Sequence, residues 1–120
     1  MLLEKLVCLC YAVAYSDDRI HPQELDAVKV AMKTFCKKAD RPYEPDKLNK
    51  VWKRLQVNNS SAADAFKEFT QYYQQHELEI SQQLKPEMAK LAATIAASFA
   101  GNNKSELTLL SQLYFLMHKE

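Results

Sequence analysis

Glycine is almost absent from this chain, because Gly101 is the only one among its 120 residues. Tight hairpins, glycine bulges and phosphate-cradling loops need positive φ angles or close backbone approach, which glycine provides best. The sequence therefore predicts an all-α fold, and the glycine-rich nucleotide-binding motifs cannot be written with a single glycine. The chain has the length of one domain, and its 48% hydrophobic content is enough for a core.

The spacing of apolar residues predicts six helices. Residues 2–15 are apolar on nearly every side, so the first helix is expected to be the central one. Pro22 at the first helical position, followed by Glu24, predicts the start of a second helix that runs to Lys38. The segment 76–85 fits either a continuation of the fourth helix or a separate element. The other predicted helices cover residues 46–57, 62–75, 86–100 and 103–120.

A pattern occurs twice: an Ala-rich helical run breaks at a short polar turn and restarts with a Glu just inside a new amphipathic helix. The two copies are residues 11–32 and residues 94–116. This repeat predicts a compact helical bundle built from two similar helical hairpins within one domain, residues 1–120. The oxygen-bearing side chains at the two turns are Asp17, Asp18, Glu24, Asn102, Asn103 and Glu106.

These two polar turns are candidate sites for a hard divalent cation. Carboxylate and carbonyl oxygens are the ligands that Mg²⁺ and Ca²⁺ take, although the spacing is not that of an EF-hand loop. If the turns lie side by side, oxygen ligands from both converge on one ion. The alternative is that Asp17 and Asp18 are solvated turn residues while Glu24 interacts with the positive end of its helix. The residues leave both interpretations open.

The segments AVAYSDDRIHPQEL and AASFAGNNKSEL resemble the paired motifs of the TerB-like tellurite-resistance family. The resemblance covers most of the chain and implies a small cytoplasmic bacterial helical domain linked to tellurite resistance and stress responses. It further implies that acidic residues at the two turns bind metal, and our candidates for a divalent ion are Mg²⁺, Ca²⁺, Mn²⁺ and Zn²⁺. Asp17 or Asp18 matches the motif aspartate, whereas Asn102 or Asn103 stands where the second motif has an aspartate.

A different function is suggested by the middle of the chain. Residues 29–54 contain nine Lys or Arg residues and three acidic residues, so this segment carries +6 in a chain of net charge +1. A basic face here would make the domain a metal-free module that binds a protein or another anionic partner. The alternative is an ordinary solvated surface, and the low overall charge argues against nucleic acid. The basic residues are Lys29, Lys33, Lys37, Lys38, Arg41, Lys47, Lys50, Lys53 and Arg54.

Neither an enzyme nor a membrane-spanning protein is predicted. The three histidines are scattered, and no nucleophile lies in a recognisable motif. The apolar run over residues 6–14 is far shorter than the roughly 20 residues that cross a bilayer. Cys8, Cys10 and Cys36 are an odd number within apolar helical stretches, which favours reduced thiols in the cytosol. A peripheral membrane association and a homo-oligomer both remain open.

Overall fold

A computed structural model describes the backbone of residues 2–14, 22–98 and 104–117, and the side chains of these residues except 22–24, 98 and 104–108. Within these ranges the chain is helical and contains no strand, which confirms the predicted all-α class. No helix in the described part of the chain is long and apolar enough to cross a membrane. The helices are α1 (Leu2–Ala14), α2 (Pro22–Lys38), α3 (Pro45–Val57), α4 (Ala62–His76), α5 (Leu84–Ser98) and α6 (Lys104–Met117).

The first helix lies at the centre of the bundle, as its sequence predicts. Every residue from Leu6 to Ala14 is buried. A helix that is apolar all round must be covered on all sides, and α1 packs against α3, α4, α5 and α6. The second helix makes its most extensive backbone contacts with α5. The grouping of the helices into two similar hairpins stays a prediction.

Helix starts follow their local sequence signals. Pro22 is the first residue of α2, as predicted, and α3 begins at Pro45, one residue before its predicted start. The hydroxyl of Ser61 accepts a hydrogen bond from the Asp64 N–H at 3.0 Å and so caps the start of α4. The ambiguous segment after α4 holds a short 3₁₀ turn, Glu77–Glu79, before α5 begins.

Two helices end in left-handed residues that are not glycine. At the end of α2, Asp40 has φ 55°, and the N–H of Arg41 donates to the carbonyl of Cys36 at 2.8 Å. At the end of α3, Asn59 has φ 52° in an equivalent turn. This hydrogen bond from the residue after the left-handed position is the Schellman ending, which satisfies the last carbonyls of a helix. It folds Arg41 back beside the last turn of α2.

Candidate functional site

The six predicted metal ligands lie outside what the structure describes. Asp17, Asp18, Asn102 and Asn103 are not among the described residues, and only the backbone of Glu24 and Glu106 is described. The backbone places both glutamates third in their helices, α2 and α6. Among the described residues no group of three His, Cys, Asp or Glu side chains could hold a metal ion. Metal binding at the turns therefore stays a prediction.

The basic residues of the middle segment face solvent but do not behave as one set. Lys29 is half-buried, and the other eight are exposed. On α3 and the residue before it, Lys47 pairs with Glu44 at 2.9 Å. Arg54, also on α3, pairs with a carboxylate of α4. The helix α3 packs on α1, whereas α2 makes its most extensive contacts with α5.

The basic residues of α2 surround a surface depression of about 440 Å³. Lys33 and Lys37 are one helical turn apart, and the Schellman ending of α2 brings Arg41 beside them. None of these three cations forms an ion pair with a carboxylate among the described residues. We call this feature the basic depression, and its lining residues are Lys33, Thr34, Cys36, Lys37, Arg41 and Tyr43.

Two weak acids of the basic depression keep their protons at neutral pH. Burial raises the pKa of the Cys36 thiol, and the nearby Arg41 guanidinium only partly opposes this effect. Burial also raises the pKa of Tyr43, with a smaller contribution from Cys36. A protonated thiol is a poor nucleophile, whereas a protonated phenol donates hydrogen bonds. The depression is therefore equipped to bind an anion rather than to form a covalent bond with a substrate.

A second charged cluster joins three helices around Glu68 of α4. Its Oε2 accepts hydrogen bonds from Lys5 Nζ of α1 at 3.0 Å and from Arg54 Nη2 of α3 at 2.8 Å. The Cys8 thiol donates to the same oxygen at 3.2 Å. We call these four residues the Glu68 cluster. Sequence reasoning missed it because its members are up to 63 positions apart, and no local pattern marks Glu68 as their partner.

The electrostatics of the Glu68 cluster favour a fixed ionic state. Burial alone would raise the pKa of Glu68, but hydrogen bonds from Arg54, Lys5 and Cys8 outweigh it and lower the pKa to about 2. Burial, together with the adjacent Glu68 carboxylate, raises the pKa of Cys8 to about 12. At neutral pH the carboxylate is therefore charged and the thiol is neutral. The Glu68 cluster therefore fits a structural role, since neither group changes its protonation state near pH 7.

His76 is the histidine whose side chain the structure describes, and its ring contacts are local. The ring of His76 stacks on Tyr72 with centroids 4.1 Å apart, and Nδ1 lies 3.0 Å from the Tyr72 carbonyl oxygen. Both contacts are one helical turn away within α4, and they fix the ring without linking it to a nucleophile. The expectation that the protein is not an enzyme remains a prediction.

Comparisons with known proteins assign no relative to this chain. No protein-family model matches it, and no curated protein or solved structure matches it significantly. The resemblance to the TerB-like family therefore remains a prediction from the two sequence motifs. Evidence for a function therefore comes from the described side chains.

Proposed function

We propose that this domain is a metal-free interaction module that binds an acidic segment of a partner protein through the basic depression. The observation that carries the proposal is the convergence of Lys33, Lys37 and Arg41 around one concavity without an ion-pair partner among the described residues. Like charges at i, i+4 on a helix repel each other, so the free domain bears a small energetic cost at this site. An acidic ligand removes that cost.

The depression suits carboxylates in both geometry and hydrogen bonding. The guanidinium of Arg41 can hold a carboxylate by two parallel hydrogen bonds, while the two lysines act as nearby point charges. Tyr43 adds a neutral hydroxyl at the same concavity. A nucleic-acid backbone is a poorer fit, because it requires a long positive track. The basic residues of α3 that would extend such a track include Lys47 and Arg54, which are already paired.

A fluorescently labelled oligo-glutamate peptide tests this proposal by anisotropy. We expect the double variant Lys33→Glu, Lys37→Glu to bind at least about tenfold more weakly than the unchanged protein. The matched control is Lys50→Glu, Lys53→Glu, which changes the net charge equally at exposed positions of α3. Affinity in the unchanged protein should fall as salt is added, because exposed charges are screened.

Three results would contradict the proposal. Equal weakening by the two double variants would mean that the peptide senses only overall charge. Absence of saturable binding by the unchanged protein at low salt would remove the module altogether. Tighter binding of a single-stranded RNA than of the peptide would replace the acidic protein partner with nucleic acid.

A second candidate function is the stress-associated, TerB-like module in which a divalent cation bridges the two polar turns. It is supported by the helix starts, since Glu24 and Glu106 each occupy the third position of a helix. In this proposal the domain is cytoplasmic, and its metal is Mg²⁺, Ca²⁺, Mn²⁺ or Zn²⁺. Calorimetric titration of the metal-stripped protein should give saturable binding that a folded Asp17→Ala, Asp18→Ala, Glu24→Ala variant lacks. If no heat of binding is measured at millimolar metal ion, this candidate function is rejected.

A further inference from the structure

A groove of about 330 Å³ runs between α2 and α5, next to the basic depression. Its lining positions on α2 follow the i, i+3, i+4 spacing of one helix face, and those on α5 do the same. Thr34 lines both the groove and the basic depression, so the two features adjoin. The lining residues are Ala27, Val30, Ala31, Thr34, Phe35 and Lys38 of α2, with Glu87, Lys90, Leu91 and Thr94 of α5.

The groove is open because small side chains line it where larger ones could have closed it. Ala27 and Ala31 on α2 leave room above the buried ring of Phe35 and the buried side chain of Leu91. At the side of the groove, Val30 is 68% exposed. A β-branched apolar residue with this exposure gains free energy when a partner covers it. The groove therefore offers an apolar floor and an apolar wall to a ligand.

The length of the groove along α2 is sufficient for several turns of a helix. Its lining on α2 extends from Ala27 to Lys38, which is about 16 Å at a rise of 1.5 Å per residue. This is the length of about three helical turns. An amphipathic helix that lies in such a groove inserts residues at i, i+3, i+4 and i+7 as anchors.

The charges around the groove define which helix would fit. Lys38 lines the groove itself, and the cations of the basic depression lie just beyond Thr34. The acidic residue of the lining, Glu87, is neutralised by Lys90 at 3.6 Å. Asp26 lies on α2 just before the first lining position of that helix. Positive charge is therefore concentrated along the second half of α2, which favours acidic residues on the partner.

We infer that the groove binds an amphipathic helix of the acidic partner, with its apolar stripe between α2 and α5 and its acidic edge over the basic depression. This inference rests on the proposed function, to which it adds the secondary structure and the apolar face of the partner.

The test compares two synthetic helical peptides of identical composition by fluorescence anisotropy. In the first, leucines occupy i, i+3, i+4 and i+7 between glutamates; in the second, the same residues are scrambled so that no apolar stripe forms. We expect the first to bind more tightly than both the scrambled peptide and oligo-glutamate. The variant Val30→Gln should weaken the first peptide about fivefold, because apolar contact area is lost, and should leave oligo-glutamate binding unchanged. The matched control, Val57→Gln on α3, changes a valine that is 74% exposed and should affect neither.

The outcomes separate this inference from the proposed function. Equal binding of the striped and scrambled peptides, with no effect of Val30→Gln, would overturn the proposal that the groove binds a helix. The proposed function of the basic depression would still stand if oligo-glutamate binds. If the unchanged protein binds neither the striped peptide nor oligo-glutamate, both proposals are overturned. Self-association of the protein that Val30→Gln abolishes would make the occupant a second copy of this chain and would overturn the acidic helix.

Discussion

Arg41 and Arg54 belong to the same basic stretch of sequence but lie in opposite electrostatic settings. Arg54 donates to Glu68 at 2.8 Å, and Lys5 donates to the same carboxylate at 3.0 Å. Arg41 instead lies with Lys33 and Lys37 around a concavity, without a carboxylate partner among the described side chains. Charge counted along the sequence does not distinguish the two arginines. The tertiary structure does, because it brings Glu68 of α4 to Arg54.

The difference separates stability from binding. In the Glu68 cluster three donors from two other helices offset the desolvation of the carboxylate. Removing this carboxylate should therefore lower the free energy of unfolding. In the basic depression the cations repel one another until a ligand binds. Removing one of these cations should therefore leave the bundle intact. Variants that exchange these outcomes would refute the comparison.

Replacing Glu68 by Gln should cause the largest loss of stability, about 2 kcal/mol, because Lys5, Arg54 and Cys8 lose a charged acceptor. This value is below that of a fully buried pair, since the Glu68 side chain is 28% exposed. Urea denaturation followed by circular dichroism measures it. Glu79→Gln is the control, because Glu79 is exposed and has no ion pair within the described part of the chain. Equal effects of the two variants would mean that the Glu68 cluster contributes no stability.

The contribution of Glu68 should depend on pH in a defined direction. Its pKa in the folded protein, about 2, lies below its ordinary value of 4.5, so the stabilisation is fully present above about pH 5. As pH falls from about 5 to about 2, Glu68 is protonated in the unfolded chain before it is protonated in the folded protein, so the stabilisation is lost. The difference in unfolding free energy between the unchanged protein and Glu68→Gln should therefore shrink over this interval. Urea titrations at several pH values measure it, and a constant difference would contradict the assigned pKa.

The two arginines provide the most direct test of the comparison. Arg54→Gln should lower the free energy of unfolding by about 1 kcal/mol, a modest value because the guanidinium is half-exposed. Arg41→Gln should change it by less than about 0.5 kcal/mol, as expected of a surface residue without a partner. The same pair should show the reverse order in oligo-glutamate binding, where only Arg41→Gln weakens the complex. A larger stability loss for Arg41 would show that the basic depression is itself structural.

The turn that carries Arg41 should tolerate, and even favour, glycine. Asp40 has φ 55°, a region that glycine occupies without a steric penalty, so Asp40→Gly should stabilise the domain by about 0.5 kcal/mol. Thermal denaturation measures this gain. Asn59→Gly is the matched variant at the end of α3 and should gain no more, because Asn is the residue that most often replaces glycine at this position. Destabilisation by Asp40→Gly would indicate that the aspartate side chain has a role of its own.

Local patterns predicted the helices because helices are locally determined. The apolar spacing of Val51 and Leu55 and the cap at Ser61 each depend on residues within a few positions. The left-handed turns were missed for a related reason. The scarcity of glycine discouraged positive φ angles, although Asp and Asn adopt them when a Schellman ending satisfies the helix carbonyls.

The candidate site could be predicted only in part. The net charge of residues 29–54 indicated a basic surface, but the pairing of Arg54 depends on Glu68, which lies outside that segment. That residue reaches Lys5 across 63 positions of sequence, through packing of α4 on α1. The groove between α2 and α5 is likewise a product of tertiary packing, since no pattern within α2 specifies its neighbour.

The central position of α1 has a consequence for the synthesis of the protein. Its most extensive partner is α4, and α5 covers a further side, so its apolar surface stays open until both have been made. At about 5–20 residues per second, this delay is on the order of several seconds. During that time a helix that is apolar on nearly every side is exposed to solvent. Until α4 and α5 have been made, α1 is therefore the part of this domain that is most exposed to aggregation.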